Sequence, residues 1–303
     1  MRAAAILGVG CSLEDLQPFR TETSVEWIMG IPSSADHVEV VVLFGGDGTI
    51  HRHLVELVRL GVPALVVPAG SGNDFARALG FRRVRDSIEA WKRFCAGEGN
   101  VRVIDLGVIS SVAAHDERTP TLRAPTFFCS VAGIGLDSEV SRRANDLPRW
   151  LRGHGGYVLS LLPAALVHFA PQQMKISTRG GSGEWTICSD QSTFLSAFAN
   201  TDTYGGGMRI APQARIDDGR LDVCIVSGMD PLKLLCMFPS VYFGRHLGIR
   251  EVSSFKATCV RVETDRPLDV HADGEYVCRT PVEIAVRSAA LRVIVHPSSK
   301  VRG

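Results

Sequence analysis

Residues 38–49 read VEVVVLFGGDGT. Val38–Phe44 is an apolar, β-branched run broken only by Glu39, the pattern of a parallel strand buried on both faces. It stops at Gly45-Gly46-Asp47-Gly48-Thr49. Beyond that loop Ile50, Leu54, Leu57 and Val58 recur at helical spacing, with His51, Arg52, His53, Glu56 and Arg59 on the opposite face. Gly61 and Pro63 end this helix. A second unit repeats the order: a strand over Pro63–Val67, a polar loop over Ala69–Asp74, and a helix over Phe75–Leu79 closed by Gly80. Successive strand–loop–helix units predict a parallel sheet with right-handed crossovers. Both glycine-rich loops then fall at the carboxyl ends of strands, where such sheets bind ligands.

After Asp105 the pattern changes. Short alternating strands dominate: Val282, Ile284 and Val286 alternate with Glu283, Ala285 and Arg287, and Val260 and Val262 flank Arg261. Gly180-Gly181-Ser182-Gly183 reads as a hairpin loop, and helices are expected only near Gly155–Phe169 and Pro231–Tyr242. The prediction is an α/β domain of residues 1–107, completed by 291–303, and a mostly antiparallel β domain of residues 108–290.

The 303 residues suffice for about two domains. Hydrophobic residues make up 45% and charged ones 21%, which excludes a disordered or fibrous chain. With 33 Lys plus Arg against 32 Asp plus Glu, the net charge is +1, so a nucleic-acid partner held through its phosphates is not expected. Eight cysteines form no CxxC pair, which argues against a zinc ribbon. Most lie in apolar runs and read as small buried hydrophobes kept reduced in a cytosol. The opening MRAAAILGVGCS is a poor signal peptide and a good strand with a glycine turn. The longest stretch without Asp, Glu, Lys or Arg, Gly153–Met174, is broken by Gly155, Gly156, Pro163 and Pro171 and is too short at its apolar heart to span a bilayer. A cytoplasmic protein, peripheral at the membrane, is expected.

The loop Gly45–Thr49 can come close to a ligand because glycine has no side chain, and the helix after it offers unpaired N–H groups to a phosphate. Asp47 is badly placed against bare phosphate but well placed to act through Mg²⁺. The alternative is a plain tight turn; a second such loop at the equivalent place in the next unit favours function. Familiar nucleotide motifs are absent. There is no GxxxxGK[ST], Gly8-Val9-Gly10 is followed by Leu13 where a dinucleotide fold needs glycine, and protein-kinase HRD and DFG signatures are missing.

FGGDGT at 44–49 and PAGSGNDFAR at 68–77 resemble the two nucleotide-binding motifs of the diacylglycerol kinase catalytic-domain family, which includes bacterial soluble lipid kinases, sphingosine kinases and ceramide kinases. The likeness continues through IDLG at 104–107, AGIGLD at 132–137, GGG at 205–207, DDGRLD at 217–222 and DGE at 273–275. The resemblance implies a two-domain lipid kinase fold with an interdomain cleft, the first domain binding nucleotide and the second the lipid. It implies ATP and Mg²⁺ as cofactors. Gly45, Gly46, Asp47, Gly48, Thr49, Arg52, Gly70, Ser71 and Asn73 fall on the nucleotide side, and Asp47, Asp74 and Asp105 form a carboxylate network holding Mg²⁺ through water. Asp273 is the first choice as general base and Glu275 the second. Asp218, with the backbone carbonyls of Arg215 and Arg220, matches the family's structural metal site. The partner implied is a lipid at a membrane surface; a homodimer is compatible with the resemblance, and the sequence is silent on it.

Each assignment has a plainer rival. Asp273-Gly274 between two β-like runs is a common hairpin turn, and Asp217-Asp218-Gly219 is a good turn without EF-hand spacing. His271 is left out of the acid–base set on the alternation of side chains along a strand. Arg142, Arg143, Arg149 and Arg152 with Trp150, beside an apolar stretch, suit an anionic membrane surface; a solvated basic face is the rival. Arg82, Arg83 and Arg85 read as ordinary surface. Two departures from the family stand on the ATP side: residues 6–12 lack the Asn-Pro of the usual first phosphate loop, and His51-Arg52 replaces the usual Asn-Glu. A soluble-metabolite kinase of the NAD kinase type and a lipid-binding module without turnover are the competing readings.

Overall fold

The computed structural model describes residues 1–21, 24–112, 125–146, 169–181, 183–299 and 301. The first lobe is built on β1 (Arg2–Leu7), β2 (Glu26–Met29), β3 (Val40–Gly45) and β4 (Ala64–Pro68), parallel in the order β2-β1-β3-β4. Every residue of β3 is buried, as its unbroken apolar run requires. Against this sheet pack α1 (Leu13–Leu16), α2 (Asp47–Leu60), α3 (Asp74–Ala78) and α4 (Val84–Cys95). Helix α2 buries Ile50, Leu54, Leu57 and Leu60 along one face and ends at Gly61, whose φ of 64° lets its N–H reach Leu57 O.

The second lobe carries β5 (Val101–Ser111), β6 (Thr126–Phe128), β7 (Val131–Gly135), α5 (Leu136–Asp146), β8 (Gln172–Arg179) and β9 (Trp185–Ala199). There follow β10 (Leu221–Ser227), α6 (Pro231–Val241), β11 (Val252–Ala257), β12 (Cys259–Thr264), β13 (Asp269–Ala272), β14 (Glu275–Arg279) and β15 (Val282–Ile294). The pairings within this lobe are antiparallel. The glycine-rich hairpin joins β8 to β9, and α6 matches the helix expected near Pro231–Tyr242. The other expected helix, Gly155–Phe169, lies but for Phe169 outside the described residues. One apolar core fills the first lobe, and two lie in the second, the one around Phe198 and Val260 and the one around Phe194 and Met237.

Strands β5 and β15 run antiparallel through both lobes and tie them together. Their register breaks between Arg287 and Leu291, and the last residues of β15 join the parallel sheet beside β4 at Val293 and Ala64. Ala289 at the break has a φ of 52°. No helix among the described residues is long and apolar enough to cross a membrane. The cysteines are all free, but only Cys129, Cys224 and Cys278 are buried, and Cys188 and Cys236 are exposed, so the expectation of burial fails for part of the set.

Candidate active site

A cleft of about 460 Å³ opens between the lobes. Its floor is the pair of glycine loops. Gly46 and Gly70 meet backbone to backbone: a Cβ on Gly46 would fall 2.8 Å from Gly70 Cα, so neither loop tolerates a side chain there. Asn73, in the left-handed region at φ 54°, locks the second loop by accepting from Gly70 N–H at 2.8 Å and donating to Gly70 O at 2.6 Å. Gly46, Gly48, Thr49, Gly70, Ser71 and Arg52 line the cleft. Arg52 spends its Nε on Gly48 O at 3.0 Å. Gly45 and Asn73 do not line it; they shape it, since a Cβ on Gly45 would strike Thr49 at 2.6 Å. The atypical first loop also takes part: Gly8 N–H bonds to Phe44 O, Cys11 N–H to Gly8 O, and Val9 lines the cleft.

Two carboxylates converge at the floor. Asp47 Oδ2 and Oδ1 accept the N–H groups of Asp74 and Phe75 at 3.1 and 3.0 Å, capping α3 from another loop. Asp74 takes Arg77 on Oδ1 and Gly206 N–H, from the second lobe, on Oδ2 at 2.8 Å. A Cβ on Gly72 would lie 2.9 Å from Asp47 Oδ2 and 3.5 Å from Asp74 Oδ2, so both acids crowd one point that only glycine leaves open. Burial, then the charge of Asp74, push the Asp47 carboxyl up to about 6, with the charge of Asp273 adding to it. Like charges held together in this way suit a divalent cation. Two carboxylates are also the usual protein share for Mg²⁺, which fills its shell with water and substrate phosphates. Among the described residues no group of three His, Cys, Asp or Glu side chains forms a self-contained metal site.

Asp273 enters from the second lobe, at a φ of 51° in the turn between β13 and β14. Its side chain is 0% exposed. Oδ1 accepts Ser130 N–H at 2.8 Å; Oδ2 accepts Cys129 N–H at 2.9 Å and faces His51 Nδ1 at 3.1 Å. Burial, followed by the charges of Asp273 and Asp47, raises the Cys129 thiol well above its usual range, so Cys129 is an inert neighbour. Burial pulls the His51 imidazole down, yet the hydrogen bond and charge of Asp273, with the charge of Glu275, outweigh it and lift His51 above its ordinary value. In the sequence His51 reads only as part of the polar face of this helix and as a departure from the family. The signal that finds it is its place on the first turns of α2, facing the opposite lobe.

Glu275 behaves differently. It lines the cleft, its carboxylate forms no hydrogen bond or ion pair among the described residues, and it stands against the first loop: a Cβ on Gly48 would lie 2.5 Å from its Oε1. The second lobe adds polar lining to the cleft, with Ser130, Asp137, Ser141, Tyr204 and His271; Tyr204 Oη donates to Asp137 at 2.7 Å. His271 and Asp273 both line the cleft, but strand alternation does not decide it: Asp273 lies past the end of β13, in the turn, at a φ of 51°. No hydrogen bond or ion pair joins the two among the described residues.

Three expected groups are elsewhere. Asp105 does not line the cleft. Its Oδ2 accepts Gly219 N–H at 2.7 Å and its Oδ1 accepts Ala289 N–H at 2.9 Å, so it clamps the break in β15 where the lobes join. Asp47 and Asp74 line the cleft and Asp105 does not, so the structure sets it apart from that pair, as a brace between backbone segments of the two lobes. Asp218, Arg215 and Arg220 do not form a cradle for a metal. Lys256, on β11 opposite Asp222 on β10, puts its Nζ 2.7 Å from Asp218 Oδ2, 3.0 Å from Asp222 Oδ2 and 3.5 Å from Gln213 O. Asp218 Oδ1 accepts Arg220 N–H, and Arg215 pairs with Asp217. The ammonium stands where a cation would bind, so a metal does not fit this turn. On the membrane side, residues 147–168, with Arg149, Trp150 and Arg152, lie outside the described residues; Arg142 and Arg143 are both engaged by Glu139.

The site thus lies where a parallel α/β lobe and an antiparallel β lobe close on two glycine loops and converging carboxylates, an arrangement suited to binding a phosphorylated ligand. Comparison with known proteins narrows this. Residues 21–109 match the diacylglycerol kinase catalytic domain, and residues 130–295 match the YegS C-terminal NAD kinase beta sandwich-like domain. A diacylglycerol kinase of Mycobacterium tuberculosis (strain CDC 1551 / Oshkosh) is 34% identical over 260 residues, 86% of this chain and 78% of that protein. A crystal structure of a diacylglycerol kinase from Bacillus anthracis str. Sterne superposes with a TM-score of 0.68 at 17% identity, covering 98% of each chain. An NAD kinase from Archaeoglobus fulgidus, in complex with ATP, has a TM-score of 0.55 at 12% identity, over 99% of this chain and 95% of that one. The chain belongs to the diacylglycerol kinase family of lipid kinases.

Proposed function

We propose that the chain transfers the γ-phosphoryl group of ATP to a hydroxyl of a membrane lipid, diacylglycerol before a sphingoid or ceramide-like lipid. The reading rests above all on one observation: Asp47 and Asp74 are held against each other beside the glycine loops, with Glu275 open at the same mouth. The names of the relatives favour diacylglycerol. Phosphoryl transfer needs in-line positioning and charge neutralisation more than covalent help. Asp47 and Asp74 are the residues that would hold Mg²⁺, which supplies neutralising charge to the phosphate oxygens. The backbone of Gly46, Gly48, Gly70 and Ser71 accommodates the phosphate chain, and Arg52 lies along it. The lipid hydroxyl approaches from the second lobe's side of the cleft, near Ser130, Tyr204 and His271.

Glu275 takes the proton from that hydroxyl. A general base must reach its substrate, and the Asp273 side chain is 0% exposed, turned onto two amides and an imidazole, while Glu275 is part-exposed in the cleft. Asp273 therefore orients the turn that leads into Glu275, which reverses the order of preference taken from the family. Contact with the bilayer is supported by Leu232, 65% exposed in the first turn of α6, and Phe243, 70% exposed just past its end, with Arg245 two residues further on. Large exposed apolar side chains flanked by cations suit a lipid surface.

The test is transfer of labelled phosphate from ATP to a panel of lipids in mixed micelles with Mg²⁺. Labelled diacylglycerol product supports the reading. Labelling of NAD and of no lipid would replace it with the soluble-metabolite reading, and lipid binding without transfer would replace it with a binding module.

A further inference from the structure

The lobes enclose a second crevice. Helix α3 separates the two: it gives Asp74 to the cleft and Arg77 and Ala78 to a groove of about 1250 Å³. Six arginines line this groove against three aspartates, a formal excess of three positive charges. Three arginines are already paired: Arg77 with Asp74, Arg85 with Asp86, and Arg215 with Asp217. Arg82 and Arg83 from the first lobe, and Arg209 from the second, form no ion pair among the described residues, and Asp202 is the one carboxylate of the groove left to oppose them. Asp86 accepts both backbone N–H groups of Arg82 and Arg83 at 2.8 Å, which fixes the turn that presents them. In the same groove Thr203 is 8% exposed, and its Oγ1 has no hydrogen-bond partner among the described residues. A buried hydroxyl without a partner is costly unless something else supplies one.

We propose that this groove is a binding site for a phosphate monoester, gripped by Arg82 and Arg83 on one side and by Arg209 and Thr203 on the other. Guanidinium groups match phosphate oxygens in geometry as well as charge, and the dianion fits the excess charge. The volume leaves room for an organic body beyond the phosphate. The occupant would bridge the lobes. It would also touch one support of Asp74, Arg77, which lines the groove, and lie against Thr201–Thr203, three residues before Gly206, whose N–H holds Asp74 Oδ2 from the cleft side. The cluster at Arg82–Arg85, read from the sequence as plain surface, gains a use only once the fold brings Arg209 opposite it.

Binding is tested on the full chain by calorimetry and thermal melting, without reference to turnover. Glycerol 3-phosphate and inorganic phosphate are the soluble probes, and phosphatidylcholine vesicles with and without phosphatidic acid are the lipid probes, read by co-sedimentation. The wild type is expected to bind a soluble probe with a rise in melting temperature. Arg209→Gln, and separately Arg82→Gln with Arg83→Gln, should weaken that binding by about tenfold or more while melting like wild type without ligand. If only phosphatidic acid vesicles bind, and do so through Arg209, the same site takes its phosphate from a lipid headgroup. Binding that falls with Arg52→Gln but not with Arg209→Gln lies in the catalytic cleft and overturns the proposal. So does binding indifferent to all three groove arginines, or no binding of any probe.

Discussion

His51 Nδ1 lies 3.1 Å from Asp273 Oδ2, across the boundary between the lobes and 222 residues away in the chain. The pair is almost dry: the side chains are 10% and 0% exposed. It joins helix α2, which opens on the first glycine loop, to the turn that leads into Glu275, and with the bond from Gly206 N–H to Asp74 Oδ2 it sets the two halves of the site against each other.

The sign of its pH dependence follows. His51 is raised in the folded protein above its ordinary value by Asp273, so its contribution to stability is complete below about pH 6.5, the unfolded value, and is lost as pH rises through the folded value. His51→Gln should cost roughly 1–3 kcal/mol near the acid end of this range, as expected for a hydrogen bond to a charged group. The deficit should shrink toward alkaline pH. Denaturant melts of both proteins at several pH values measure it; a deficit that is flat or grows with pH would mean that His51 is neutral in the fold.

Glu275 and Asp273 separate by what their removal damages. Glu275→Gln should leave the melting curve intact and lower phosphate transfer by about 10²–10⁴-fold, the usual worth of a general base. Asp273→Asn should lower stability, because the amide cannot accept from Ser130, Cys129 and His51 together. Steady-state rates and melts on both variants decide. Transfer lost in Asp273→Asn at full stability, with Glu275→Gln active, would return the base to Asp273.

Much of this was legible in the sequence because it is local. The β3 run, the helical face of α2 and the two glycine loops are each written within a dozen residues, and hydrophobic period and turn chemistry suffice to read them. The partners of the acids were not legible, since they are set by contacts between distant segments. Asp105 reads like a site residue until Gly219 and Ala289 are seen to occupy it, and Asp218 reads like a metal ligand until β11 brings Lys256 across from Asp222. His271 lines the cleft as well, and strand alternation could not foresee this, because Asp273 lies in a left-handed turn beyond the strand.

Leu232 and Phe243, in the first turn of α6 and just past its end, give a prediction for the membrane. Leu232→Glu with Phe243→Glu should weaken co-sedimentation with anionic vesicles while leaving the melt unchanged, because neither side chain is in the core. Transfer to a short-chain lipid dispersed below its aggregation limit should persist. Undiminished vesicle binding would place the contact elsewhere on the surface.

Lys256 yields the last prediction. Burial lowers the pKa of its ammonium, but the bonds to Asp218 and Asp222 more than compensate and hold it above the usual lysine value; Asp222 itself is raised, because its burial outweighs the help it receives from Lys256. The turn that follows Asp218 is the one that Asp105 clasps through Gly219, so the lysine's charge braces the junction between the lobes. If this ammonium does the work of a bound metal, chelator should not shift the wild-type melt through Asp218. Lys256→Ala should cost about 1–3 kcal/mol, between the limits for surface and buried pairs, and millimolar Mg²⁺ should restore part of the loss by taking the place left between the two carboxylates. The melts are read with Asp218→Asn alongside, since any effect of Mg²⁺ that survives this change arises at another site. A wild-type melt that falls in chelator, with the fall abolished by Asp218→Asn, would show that a metal binds there beside the lysine after all.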